Sequence, residues 1–233
     1  MTGGAVGSID LRDGEDLSPA YIGDFFRPFA VLGGALALVN RIIDDREYVS
    51  WCADNSYDHA NGFVKVVLGV SAAGRKLVWH QWDDIMSDWR ADIHNHRWDF
   101  VSYVCRGVIE LEDFEERAEG AVGVACYRYR SPGELRSFTL DHVGFGALER
   151  TRYRALNAGH FYYQPHALVH RASPLAVGTS TLIVQGRAEA VETDVYTDRS
   201  NQVNRLCRGA ERLSVSEIAR LLARLREDLS QSC

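Results

Sequence analysis

The stretch "DIHNHRWDFVSYVCRG", residues 92–107, decides how this chain folds. His94 and His96 are two residues apart, and a β-strand directs alternate side chains to the same face. On an extended strand the backbones of the two residues lie about 7 Å apart, and their imidazoles can converge on one metal ion. A transition metal usually takes at least three protein ligands. The sequence therefore predicts that a third ligand comes from elsewhere in the chain.

A second histidine-containing stretch, "GHFYYQPHALVH" (159–170), lies about 70 residues further along. Gly159 is followed by five residues, Pro165, one residue, Ala167, two residues and His170. This spacing resembles the second sequence motif of the cupin superfamily, with Ala167 in the place of that motif's second glycine. His170 stands at a metal-ligand position of the motif, so the resemblance implies that it is the third ligand.

The first stretch resembles the first cupin motif, in which two histidines precede a glutamate and a glycine. His94, His96 and Gly107 stand at the expected spacing. Phe100 occupies the place of the glutamate, and Asp88 occupies the place of the glycine that usually opens the motif. Two motifs in this order imply a cupin fold. They imply less about the reaction, because cupins support many chemistries.

Short β-prone segments separated by turn residues follow one another over residues 62–196, and this pattern predicts an antiparallel barrel or sandwich. Together with the cupin resemblance, this pattern predicts a mainly β fold class. The expected architecture is a cupin-type β-barrel or jelly roll with N-terminal helices and a C-terminal amphipathic helix. One strand is expected over residues 98–113 and a turn at Gly144. The expected division is a flexible N-terminus (1–17), a helical region packed on the barrel (18–61), the barrel (62–196), and a linker with the C-terminal helix (197–233).

The C-terminal helix is predicted from its start signal and its apolar stripe. Ser214 followed by Glu217 fits a capping box. The stripe consists of four residues at helical spacing, Ile218, Leu221, Leu222 and Leu225. Such a stripe packs on its own domain or on a second copy in a homodimer.

Strand parity predicts which neighbours of the histidines line a substrate cavity. Trp98, Phe100 and Ser102 fall on the face of His94 and His96, whereas Asp99 points away unless a bulge intervenes. Further candidates for the cavity are Tyr162, His166 and Arg90. The sequence leaves open whether Asp99 or His166 joins the metal ligands.

The ligand set resembles that of three-histidine cupins, the thiol dioxygenases and diketone-cleaving dioxygenases. This implies a non-heme iron(II)-dependent oxygenase that acts with O2 on a small metabolite such as an amino acid, a thiol or another small acid. Zinc, nickel, manganese or copper are alternatives, since imidazole also suits several of these ions. A metal-dependent isomerase, lyase or decarboxylase therefore stays open, as does a non-catalytic small-molecule-binding cupin.

Composition and sequence patterns limit the expected binding partners of the protein and its expected cellular compartment. The formal charge of −6, with no basic tract, argues against binding to nucleic acid. The longest apolar run, residues 29–39, is too short to span a bilayer, and the N-terminus lacks a signal-peptide pattern. The five cysteines are scattered without a C-x-x-C pair, which is typical of reduced thiols. We therefore expect a cytoplasmic protein with no membrane partner.

Overall fold

Twelve β-strands in two antiparallel sheets form the centre of the computed structural model, which describes residues 6–59, 61–83, 91–130, 139–197 and 212–231. The strands are β1 (Tyr57–His59), β2 (Phe63–Val70), β3 (Lys76–Gln81), β4 (Ile93–His94), β5 (Phe100–Arg106), β6 (Val108–Glu116), β7 (Val122–Arg130), β8 (Thr139–Asn157), β9 (Phe161–Gln164), β10 (Val169–Pro174), β11 (Ser180–Gln185) and β12 (Glu192–Thr197). One sheet has the order β1-β2-β3-β11-β5-β9, and the other six strands close in the order β10-β4-β12-β7-β8-β6. This architecture confirms the prediction of a mainly β fold built as an antiparallel barrel or jelly roll.

An apolar interior lies between the two sheets. Phe100, Val104 and Ile183 of the first sheet pack there in one buried cluster with Ile109 and Leu111 of the second. Removing apolar surface from water stabilises the fold by about 25 cal/mol per Å². The interior is therefore the contact that holds the two sheets together.

The opposite face of the first sheet carries the helices. Val101, Tyr103 and Cys105 alternate with the interior residues along β5 and pack in the larger core cluster. That cluster also contains the buried residues of the N-terminal and C-terminal helices. Cys105 is therefore a buried packing residue on the face away from the interior of the barrel.

The N-terminal helices begin at a Ser18 cap, whose hydroxyl oxygen accepts a hydrogen bond from the Tyr21 backbone N–H at 3.3 Å. They are α1 (Pro19–Tyr21), a π-helical turn (Ile22–Phe26), α2 (Arg27–Val31), α3 (Gly34–Ile43) and α4 (Arg46–Asn55). The helical region is shorter than the expected 18–61. Ser56 is extended, and its hydroxyl accepts a hydrogen bond from the Val67 N–H at 3.0 Å. This contact brings the following residues to the sheet, where β1 pairs with β2.

The C-terminal helix α5 spans Val215–Ser230 and begins with the predicted capping box of Ser214 and Glu217. All four residues of its apolar stripe are buried. They pack in the same cluster as α3 and α4, so the stripe is covered by its own chain.

Among the described residues, no single helix has the length and apolar composition needed to cross a membrane. The bent pair Pro19–Val31 and Gly34–Ile43 meets those criteria when its two members are taken together.

Two glycines correct the expected strand pattern. The strand predicted over 98–113 is two strands, because Gly107 adopts a φ of 75° and turns the chain between β5 and β6. The turn predicted at Gly144 is absent, and β8 runs through this position as one long strand. Gly144 lies opposite Cys126 where the register with β7 shifts, so a β-bulge takes the place of the turn.

Replacement of Gly107 by alanine should destabilise the fold more than the same change at Gly159, the first glycine of the second motif. Both residues have positive φ, 75° and 90°. A Cβ at position 107 would also lie 2.9 Å from the Thr179 Cα, whereas a Cβ at position 159 meets no atom within 4 Å. We expect Gly107→Ala to lower the free energy of unfolding by at least about 1 kcal/mol more than Gly159→Ala. Equal losses in urea denaturation would contradict the close packing of β5 against Thr179.

Candidate metal centre

Three histidines, His94, His96 and His170, form a cluster beside the barrel interior. The ring centroids lie 4.7 Å apart for His94 and His96, 5.1 Å for His94 and His170, and 5.0 Å for His96 and His170. One nitrogen of each ring lies within 4.8 Å of the others. Because the three separations are nearly equal, a single ion can be reached by all three rings.

Strand pairing brings the distant motifs together. His94 on β4 is the direct antiparallel partner of His170 on β10. His96 lies beyond the end of β4, so the strand face that the sequence predicted for His94 and His96 does not orient it. Instead, the His96 N–H donates a hydrogen bond of 2.9 Å to the carbonyl oxygen of His166. This bond ties the first motif to the loop of the second.

The ring nitrogens are arranged for coordination. Nε2 of His96 and Nε2 of His170 face each other at 2.8 Å. On an ion with bonds of about 2.1 Å, two nitrogen ligands at right angles lie about 3 Å apart. Nδ1 of His94 donates a hydrogen bond of 2.8 Å to the carbonyl oxygen of Asp92, which leaves Nε2 without a proton and able to bind a metal ion. Outer hydrogen bonds of this kind fix the tautomer of a ligating histidine.

All three imidazoles are neutral at physiological pH. Burial lowers the pKa of His94, and burial together with the neighbouring imidazoles lowers the pKa of His96 well below its usual value. The pKa of His170 is lowered by burial, by His94 and by Arg154. Metal binding requires the neutral form of histidine. Nδ1 of His170 is buried and has no hydrogen-bond partner among the described residues. The residues therefore fit a metal ion.

Two of the predicted cavity residues, Phe100 and Trp98, adjoin the cluster, and two more, Tyr162 and Ser102, lie beside Phe100. The Phe100 ring is 5.0 Å from the His96 ring, and the Trp98 ring is 6.2 Å from it. Tyr162 is buried 6.0 Å from Phe100, and burial raises its pKa to about 12, so it remains a phenol. Ser102 is buried on the same face of β5 as Phe100. The wall beside the histidines is thus mainly aromatic.

Asp99 and His166 belong to a separate group. Oδ1 of Asp99 accepts hydrogen bonds from the backbone N–H of His166 at 2.7 Å and from its Nδ1 at 2.8 Å, and Oδ2 accepts one from the Tyr163 hydroxyl. Burial raises the pKa of Asp99, but these hydrogen bonds outweigh it and lower the pKa overall. Glu189 completes the group, 3.6 Å from Nδ1 of His166. Asp99 therefore points away from the three histidines, as parity predicted, and it holds the loop whose carbonyl orients His96.

Sequence reasoning missed three polar residues of the cavity, His59, Lys65 and His80. They lie on β1, β2 and β3, before the first motif. Lys65 is paired with Tyr57 on β1 and with His80 on β3, and His59 lies two residues after Tyr57 on β1. The side chains of His59, Lys65 and His80 therefore share the interior face of the sheet. A lysine within the apolar run "FVKVVLG" was the available signal. Arg90, the remaining predicted candidate, lies outside the described residues.

No sequence-family profile and no curated protein matches the chain. Several solved structures do. KdgF from a Halomonas species is 16% identical, with a TM-score of 0.35 over 57% of this chain and 89% of that one. An RmlC-like cupin from Shewanella frigidimarina is 17% identical, with a TM-score of 0.34 over 57% of this chain and 83% of that one. Hydroquinone 1,2-dioxygenase PnpCD, in complex with Cd2+ and 4-hydroxybenzonitrile, is 17% identical, with a TM-score of 0.35 over 61% of this chain and 76% of that one. Cupins are thus among the solved structures that this chain resembles.

Replacement of His96 by alanine should abolish stoichiometric metal binding, because two imidazoles do not complete the site. His160→Ala is the matched control, since His160 is exposed and its Nδ1 bonds only to the Asn157 carbonyl oxygen. Elemental analysis after iron loading should give about one ion per chain for the wild type and the control, and almost none for His96→Ala. Retention of full iron by a folded His96→Ala protein would remove His96 from the ligand set.

Proposed function

We propose that this protein is a metal-dependent enzyme, an iron(II) oxygenase that acts on a small metabolite, with His94, His96 and His170 as the metal ligands. The observation that supports the proposal is the convergence of three neutral imidazoles beside an aromatic cavity. A bound iron(II) ion would supply Lewis acidity and the capacity for one-electron chemistry with O2.

The ligand set favours an anionic substrate. Three neutral imidazoles bring no negative charge, so they leave the charge of a divalent ion uncompensated. Phe100 occupies the motif position at which a glutamate would have supplied one negative charge. The electrostatics of the site are therefore balanced when the substrate itself is an anion.

The aromatic residues contribute by excluding water. Phe100 is buried with its ring 5.0 Å from that of His96, and the ring of Trp98 lies 6.2 Å from the same imidazole. A site with few water molecules strengthens the electrostatic attraction between a cation and an anionic substrate. These rings also give an apolar surface to the body of a small molecule.

The same uncompensated charge also supports a second candidate, a metal-dependent isomerase, lyase or decarboxylase. Those reactions use the Lewis acidity of a bound ion without O2. Zinc, nickel, manganese or copper would then be alternatives to iron, with the same three histidines as ligands. The two candidates differ in their requirement for oxygen.

Oxygen uptake should distinguish these candidates. Iron-loaded protein, screened with amino acids, thiols and small aromatic acids, should consume O2 only when a substrate is present, and His96→Ala should reduce the rate at least about a hundredfold. Turnover that continues at the same rate without O2 would overturn the oxygenase and support the second candidate. Absence of both turnover and bound metal would overturn both and leave a binding protein.

A further inference from the structure

We propose that the cavity beside the three histidines holds a small organic acid whose carboxylate is bound by Lys65. The identification of this acid as a substrate rests on the function proposed above. The binding site itself rests on the residues of β1, β2 and β3 and does not require the metal.

Lys65 reaches the cavity of the metal centre. Its Nζ donates a hydrogen bond of 3.3 Å to Oε1 of Gln185, a residue paired with Phe100 on β5. The same Nζ lies 5.8 Å from the centroid of the Trp98 ring. That ring is 6.2 Å from the ring of His96. One indole therefore adjoins both the ammonium group and the metal centre.

Positive charge is gathered at this wall, where Lys65, Lys76 and Arg97 lie on or beside neighbouring strands. Only two of the 26 basic residues of the chain are lysines, and these two, Lys65 and Lys76, lie on neighbouring strands. Arg97 stacks on the same Trp98 ring, with its guanidinium carbon 5.0 Å from the centroid. Within the described parts of the chain, no carboxylate forms an ion pair with Lys65, Lys76 or Arg97. Like charges gathered in a half-buried place repel one another, and an anionic ligand would remove this repulsion.

Burial and neighbouring positive charge lower the pKa values of both lysines. Burial lowers the pKa of Lys65 to about 8, and the charge of Arg97 adds to this shift. Burial and the charge of Lys65 lower the pKa of Lys76. A carboxylate bound beside Lys65 would favour its protonated form, which is the form that donates three hydrogen bonds. Binding of a carboxylate would therefore raise the pKa of Lys65, and protonation of Lys65 would strengthen the binding.

The other walls fit the body of an organic acid. Phe63 stacks between His59, at 4.4 Å, and His80, at 4.2 Å, and its ring is 5.1 Å from that of Trp82. Burial lowers the pKa of His59 to about 3, and the pKa of His80 is also lowered by burial, so neither ring competes with Lys65 as a cation. A flat or apolar skeleton would pack against these rings while its carboxylate meets the ammonium group.

Calorimetric titration with benzoate and its neutral isostere benzamide tests this site. The proteins are the wild type, Lys65→Met, which removes the charge at similar volume, and Lys65→Arg, which keeps it. Each is titrated both iron-loaded and after treatment with chelator, and circular dichroism checks its fold. We expect Lys65→Met to weaken benzoate binding roughly tenfold or more and Lys65→Arg to change it less than about threefold, because only Lys65→Met removes the charge-assisted hydrogen bond to the carboxylate. Benzamide binding should be nearly the same in all three proteins.

Three outcomes would overturn the proposal. They are wild-type affinity for benzoate in folded Lys65→Met, equal affinity of the wild type for benzoate and benzamide, and no binding of benzoate to the wild type up to about 10 mM. A different result is expected if the three histidines bind no metal but the Lys65 site exists. The protein would then bind no iron, while benzoate binding by the chelator-treated protein would still depend on Lys65.

Discussion

The antiparallel pairing of His94 with His170 is the constraint on which the proposed site depends. It joins β4 to β10, and it places residues from two distant motifs side by side with no intervening side chain. A shift of one residue in this register would turn His170 to the other face of the barrel. The pairing of β10 with β6 extends over six residues, and so it fixes the position of His170 independently of the two-residue strand β4.

Burial of the three histidines determines the protonation state of their imidazoles. The same apolar interior that holds the two sheets together keeps the three imidazoles neutral, because a charged imidazole there would lose its hydration. A neutral ligand set would leave the charge of a bound divalent ion uncompensated, and the proposed carboxylate-binding Lys65 would add positive charge to the same cavity. The proposed metal affinity and the proposed preference for an anionic ligand would then both follow from the buried environment that also stabilises the fold.

Much of the barrel and of the histidine cluster could be predicted from the sequence, because both depend on spacing within short segments. Two motifs identified the three histidines, and strand parity placed Phe100 and Ser102 inside and Asp99 outside. The orientation of His96 could not be predicted in the same way, since it depends on a hydrogen bond to the carbonyl oxygen of His166, a residue 70 positions away. Lys65 was missed for a related reason. Its neighbours in the cavity come from other strands, and local spacing does not reveal how strands pair.

The most direct measurement is a crystal structure of the iron-loaded protein, grown without oxygen, with an anomalous difference map recorded at the iron absorption edge. We expect a single strong peak at roughly 2.0–2.3 Å from one nitrogen each of His94, His96 and His170. A peak at Asp99, His166 and Glu189 in place of the three histidines, or no peak in the cavity of a protein that retains iron, would contradict this expectation.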